Sequence, residues 1–212
     1  MPTLLHIDSS PMGDLSISRR LSSEFVDRWR EANPGGKILS RDLTVLNIPP
    51  IDAEYVEASY TIKECRTNRQ NDILRLTTEF ARELLNADEY VIGIPMHNWG
   101  PSSHFKLWTD KIVLFGETVR MTPTGAFGVL EGKKATFIIV AGRKFGLGSG
   151  NESRNHLVPW VRTFFGNLGV QNMNFVFVDR TSEIRNGGIN RHDFLAPHID
   201  SLRALFEKPM EP

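Results

Sequence analysis

Residues Glu89 to Met96 read EYVIGIPM, and residues Lys134 to Ala141 read KATFIIVA. Neither run alternates apolar with polar residues, as a strand with one wet face would. Both are β-branched and almost continuously apolar, the signature of strands covered on both faces in a parallel sheet. Thr3 to Asp8, TLLHID, is a shorter run of the same kind that ends in the polar turn SSPMGDLS. After that turn, Leu21, Phe25 and Trp29 recur four residues apart from Ser16 to Asn33, with Val26 beside them. That is one face of an amphipathic helix, and Asn33-Pro34-Gly35-Gly36 stops it.

Working outward, Lys37 to Arg41 is a short candidate strand, and Asn47 to Asp52, NIPPID, is a loop on its two prolines. A long helix is expected from about Thr61 to Asn86, with Ile73, Leu76, Phe80 and Leu84 on one face. Ser102 or Ser103 can cap the next helix, which carries Phe105, Trp108, Ile112 and Phe115. Thr118 to Leu130, broken by Pro123, Gly125 and Gly128, reads as a hairpin excursion. His156 to Leu168 is helical, Met173 to Val178 is a strand, and Arg191 to Phe206 is a final helix with Pro197 as a local fault. Strands thus alternate with helices about five times, which means βαβ units with right-handed crossovers. The expected architecture is α/β: a flavodoxin-like three-layer sandwich, with a five-stranded parallel sheet in order 2-1-3-4-5 and helices on both faces. Residues 1–212 are expected to form one domain.

Composition narrows the function. Twenty-five Lys+Arg balance 25 Asp+Glu, so the net charge is zero. A nucleic-acid binder wants a basic surplus, and a disordered chain would not be 40% apolar. No run approaches the roughly 18 apolar residues of a membrane span, and MPTLLHIDSS lacks the basic start and apolar stretch of a signal peptide. A single cysteine, Cys65, excludes an internal disulfide framework, and the cytoplasm is the expected compartment. No G-x-S-x-G and no H-E-x-x-H occurs, which argues against serine and zinc hydrolases.

Ligands of such sheets bind beyond the carboxyl ends of the strands. Three loops emerge there. Ser9 to Ser18, SSPMGDLSIS, brings four serines to the start of a helix. Free N–H groups and hydroxyls suit a monophosphate, whereas the missing lysine and Walker pattern argue against a nucleoside triphosphate. In the second loop, PMHNWG, Met96 and Trp99 offer flat apolar surface and Asn98 an amide, which suits a heterocyclic ring. The third, AGRKFGLGSG from Ala141, offers glycines for close approach, and Arg143 and Lys144 for an anionic reduced ring. Each loop also has a plainer reading: a helix cap, a core tryptophan with its turn, a solvated surface loop.

A monophosphate pocket beside a flat-ring pocket spells FMN, and here the chain resembles the FMN-dependent NADH-azoreductases, which also act as NAD(P)H:quinone oxidoreductases. The resemblance rests on LHIDSSPMGDLSISRRLSSEFVDRW, on ADEYVIGIPMHNWGPSSHFKLWTDKIVLFGETVR, on LEGKKA and on FFGNLGVQNMNFVFVD. Its most specific block is the P-M-[YH]-N-[FW] loop followed by a lysine-bearing helix, filled here by Pro95 to Trp99 and Lys106. It implies one FMN per subunit, with Ser9, Leu15, Ser16, Ile17 and Ser18 at the phosphate. Pro95, Met96, His97, Asn98 and Trp99 would hold the ribityl chain and ring, with Ala141, Gly142 and Arg143 on the ring's pyrimidine side. Val119 and Phe145 would face the substrate. It further implies NADH or NADPH as donor, two-electron reduction of quinones, cleavage of aromatic azo compounds by a ping-pong scheme, and no protein side chain as catalyst. It implies a homodimer with active sites at the subunit interface, and neither nucleic acid nor membrane as a partner. Two departures stand out: V-A-G-R replaces the family's S-R-G-G in a longer third loop, and Val119 replaces an aromatic residue in the hairpin. The competing expectation is a flavodoxin-type electron carrier, or a flavin binder with little NADH-dependent turnover. The carriers are typically acidic and this chain is neutral.

Overall fold

The computed structural model describes residues 1–146 and 148–207. Strand β1 (Thr3–Asp8) is followed by helix α1 (Ile17–Ala32) and strand β2 (Lys37–Asp42). Strand β3 (Glu89–His97) pairs parallel with β1 on one side and with β7 (Lys134–Val140) on the other. Strand β8 (Asn172–Val178) closes the sheet beside β7, so the order is β2-β1-β3-β7-β8. This is the expected 2-1-3-4-5 arrangement, counted over the parallel strands.

Alternate residues explain why the central strands are apolar throughout. Leu5, Tyr90, Ile92 and Phe137 point into one core, with Phe80 and Leu84 of α4 (Arg75–Asn86), Phe105 and Trp108 of α5 (Ser103–Ile112), and Phe165 of α6 (Leu157–Asn167). Leu4, Val91 and Ile138 point the other way, onto Leu21, Phe25 and Trp29 of α1 and Phe194 and Leu202 of α8 (Arg191–Glu207). Each such fully buried aliphatic or aromatic side chain contributes about 1.5–3 kcal/mol. Among the described residues no helix is long and apolar enough to cross a membrane.

Four elements differ from the sequence expectation. The helix expected from Thr61 to Asn86 is broken into α3 (Asn68–Ile73) and α4, with a single 3₁₀ turn at Lys63–Cys65. The first of the two starts late, at Thr67, whose hydroxyl accepts from Gln70 N while the Gln70 side chain accepts from Thr67 N, a capping box. The second break falls at Leu74, which caps α4 without a side-chain bond. Helix α2 (Ala53–Tyr60), not foreseen, begins where Asp52 accepts from Tyr55 N at 2.8 Å. Helix α5 stops at Ile112, so Phe115 lies beyond it and packs tilted against Tyr60, ring centroids 5.5 Å apart. The short helix α7 (Ser182–Arg185) was also unforeseen. The expected hairpin is present as β5 (Val119–Thr122) and β6 (Gly125–Gly128), a separate two-stranded sheet.

Candidate active site

The first loop is shaped from behind by a buried polar network. Arg19, in the first turn of α1, donates to Ser10 O at 3.3 Å and pairs with Asp42 at 2.9 Å and Asp8 at 3.5 Å. Ser22 donates to the other oxygen of Asp8 at 2.8 Å, and His6 Nε2 stands 3.2 Å from that carboxylate. The hydrogen bond to Asp42 raises the pKa of Arg19 above its ordinary value. Burial pushes Asp42 up, yet hydrogen bonds from Arg19 and Thr44 outweigh it and hold the carboxyl below its ordinary value. Gly93 lets this assembly sit tight on β3: a Cβ there would lie 2.9 Å from Asp8 Oδ1 and 3.3 Å from Ser18 O.

In front of that network, Ser16 caps α1 by accepting from Arg19 N at 3.2 Å. The hydroxyls of Ser16 and Ser18 lie 3.1 Å apart, and both residues line a cavity of about 460 Å³. The amides of Ile17 and Ser18, in the first helical turn, have no carbonyl four residues back inside the helix and are free to donate. Arg191 reaches the same place from α8, donating to Asp14 O and Ser16 O at 3.4 Å. Amides, hydroxyls, a helix N-terminus and one guanidinium make a donor set for a phosphate monoester. Leu15 and Ile17 line the same cavity. Ser9 does not: it is fully buried, its hydroxyl donates to Gly93 O at 2.8 Å, and its own carbonyl accepts from Ser102 Oγ at 3.2 Å. Its place is to tie the first loop to β3 and to the start of α5.

The second loop is a tight hairpin. Strand β3 ends at His97, and β4 (Gly100–Pro101) folds back on it, Met96 opposite Pro101 and His97 opposite Gly100. The two residues between, Asn98 and Trp99, have φ of +47° and +69°. Positive φ at both positions is the type I′ habit. Asparagine adopts it readily, whereas tryptophan pays about 1–2 kcal/mol of left-handed strain. The result holds the indole half exposed. Pro95, Met96 and His97 line the phosphate-side cavity; Asn98 and Trp99 line an adjoining one of about 560 Å³.

The third loop runs from Ala141 to Ser153; Leu147 lies outside the described residues. Gly142 lines both cavities, and the position of its missing Cβ meets nothing within 4 Å, so a flat ring has room to rest on backbone. Arg143 and Phe145 line the second cavity, and the amides of Phe145 and Gly146 are held by Asp179 Oδ2 at 2.8 and 3.3 Å. Ala141 is buried behind the cleft, where its N donates to Val178 O at 2.8 Å. Val119 lies elsewhere, in a separate cavity with Phe115, Ala126 and Phe164.

Sequence reasoning missed a fourth wall. Thr181, Ser182, Arg185 and Arg191 line the phosphate-side cavity, and Ser182 and Arg185 also line the ring-side one. The available signal was topological. In a parallel sheet the loop after the fifth strand also leaves from the carboxyl end, and β8 delivers α7 there. Ser10 and Met12 of the first loop line the cleft too.

Comparison with known proteins agrees with this fold. The profile described as "Flavodoxin-like fold" matches residues 2–196. The chain is 53% identical over 203 residues to FMN-dependent NADH:quinone oxidoreductase 3 of Burkholderia lata, covering 96% of this chain and 98% of that one. It is 41% identical over 203 residues to the FMN-dependent NADH:quinone oxidoreductase of Acidobacterium capsulatum, with the same coverage. Among solved structures it is similar to an FMN-dependent NADH-azoreductase from Bacillus anthracis in complex with FMN. The TM-score is 0.84, at 21% identity, covering 97% of this chain and 98% of that one. Azoreductase AzrA gives a TM-score of 0.85 at 19% identity, covering 98% and 100%; at such identities the likeness concerns the fold. The chain therefore belongs to the flavodoxin-like fold family, among the FMN-dependent NADH:quinone oxidoreductases.

Proposed function

We propose that this protein is an FMN-dependent NAD(P)H oxidoreductase that reduces quinones by two electrons and cleaves aromatic azo compounds. One observation carries the reading: a cradle of hydroxyls and helix amides for a phosphate monoester adjoins an open glycine floor walled by Met96 and Trp99. Those residues fit FMN. When bound, it supplies hydride acceptance from the nicotinamide donor and delivery of two electrons to the acceptor. The chain's own part is placement. Ser16, Ser18 and the amides of Ile17 and Ser18 would hold the phosphate, and Arg191 would add charge. Leu15, Pro95, Met96 and His97 would border the ribityl chain, with Ser9 and Ala141 bracing the loops from behind. Asn98 would present its amide to the ring, while Gly142 lets backbone come close and Arg143 places positive charge near the ring's pyrimidine edge. Trp99 and Phe145 would flank the acceptor. Donor and acceptor would use the same space in turn, which is the ping-pong order.

The quaternary reading is a homodimer whose active sites are completed across the interface. Its support is exposed apolar surface: Tyr60, Ile62 and Met121 around one cavity, and Phe127 on the hairpin. Val119 would meet substrate through that hairpin. We propose a single domain over residues 1–212, working in the cytoplasm with no nucleic acid or membrane partner; the exposed free thiol of Cys65 fits a reducing compartment.

The test is optical. Purified protein carrying bound FMN absorbs at about 450 nm, bleaches when NADH is added without oxygen, and recovers its colour with a benzoquinone. Bound FMN that NADH leaves unbleached overturns the reductase reading in favour of an electron carrier or an inactive flavin binder. A protein that takes up no FMN overturns the reading of the serine loop.

A further inference from the structure

The ring-side cavity carries positive charge from two segments of the chain. Arg143 and Arg185 both line that cavity, from two segments that are strapped together. Ser182 donates through its N at 3.1 Å and its hydroxyl at 2.7 Å to Gly142 O, and Arg180 N donates to Arg143 O at 3.4 Å. Among the described residues no acidic side chain lines either cavity of the cleft. The neighbouring Arg180 shows the contrast: its guanidinium lies 3.8 Å from Asp179 and 3.7 Å from Glu183. Arg191 is engaged at the phosphate loop. Among the described residues, Arg143 and Arg185 form no ion pair with any carboxylate. In a chain of zero net charge, two uncompensated guanidinium groups thus stand beside the aromatic surfaces of Trp99 and Phe145.

We propose that Arg185, together with Arg143, makes this site select aromatic acceptors that carry an anion: quinones or azo compounds bearing a carboxylate or sulfonate. The inference rests on the oxidoreductase reading above. The planar guanidinium fork matches the paired oxygens of those groups, and the indole takes the ring they are attached to. The reaction is unchanged: the donor's hydride and one proton convert the quinone to its hydroquinone. Because both arginines are open to water, their pull is screened by salt.

FMN-loaded protein and its Arg185→Gln and Arg185→Lys variants are compared on 1,2-naphthoquinone-4-sulfonate and 1,2-naphthoquinone. The ratio of the two kcat/KM values cancels most of what a general loss of fold or flavin does. That ratio should fall about tenfold in Arg185→Gln and less in Arg185→Lys. In the wild type it should also decline with added salt, and in Arg185→Gln stay flat. A ratio equal within twofold in wild type and Arg185→Gln overturns the proposal. So does an effect confined to kcat/KM for NADH or NADPH, which would assign the guanidinium to the donor's phosphates. Calorimetric binding of redox-inert 2-naphthalenesulfonate to the FMN-loaded protein separates this inference from the one beneath it. Binding that Arg185→Gln abolishes supports the anion site even where NADH fails to bleach the flavin. Binding that is absent, or unaffected by the substitution, overturns the site even where NADH bleaches normally.

Discussion

Two residues at the cleft show how local physics is traded there. Trp99 occupies the second position of a turn that asks for φ > 0, at +69°. Replacing it with glycine creates Asn-Gly, the pair such turns favour. The flavin-free Trp99→Gly protein should be more stable by about 1 kcal/mol in urea denaturation, while losing affinity for aromatic acceptors. Asp42 works behind the site. Its folded-state pKa is lowered, so its stabilising contribution is present above the unfolded value and is lost as pH falls through the folded one. Asp42→Asn should therefore melt below wild type at pH 7, with the gap closing below about pH 4 in paired melting scans. Ser16, Ser18, Asn98 and Trp99 were readable in the sequence because their chemistry is local: a cap, a turn, a ring. Arg185 and Arg191 were not, because nothing near them in sequence says that β8 and α8 bring them to the phosphate loop.

Helix α1 carries the most at the next level up. Its register on β3 depends on the absent side chain of Gly93, since both Asp8 and the Ser18 carbonyl occupy the space a methyl would need. Gly93→Ala should cost about 1–3 kcal/mol, as overpacking does, and should weaken FMN binding as well, because the displaced part is the donor end of α1. Flavin fluorescence titration beside a denaturation curve checks both effects. The amphipathic period of α1 was legible over its whole length, since one buried face repeats every fourth residue. The segment 53–86 was not. Ile73, Leu76, Phe80 and Leu84 keep helical spacing across the break at Leu74, where no side-chain cap marks the start of α4; the Thr67–Gln70 capping box marks only the start of α3. Helix α7 spans four residues, too few for any periodicity to show; it persists because loop carbonyls of Ala141 and Gly142 hold its start.

Across the whole molecule, the parallel sheet and its strand order followed from apolar runs and turn positions, because burial on two faces leaves a simple compositional trace. The proposed subunit contact would leave none as clear. Tyr60, Ile62, Met121 and Phe127 are exposed aromatic or aliphatic side chains gathered from α2, the loop after it and the hairpin. Met121→Asp with Phe127→Asp should convert a dimer to monomers in light scattering. Turnover should fall with dimer content, whereas FMN held by the α1 cradle should remain bound. Wild-type protein that scatters as a monomer overturns the dimer.

The hydroxyl of Ser102 on the carbonyl of Ser9 joins two walls of the cleft through one bond. Its consequence is thermodynamic linkage between the two halves of the ligand. A phosphate that steadies the first loop also steadies the start of α5 and the hairpin before it. Inorganic phosphate and riboflavin, each a fragment of the whole, should then bind with positive cooperativity, and Ser102→Ala should reduce that coupling, leaving the bonds of Ser9 to Gly93 O in place.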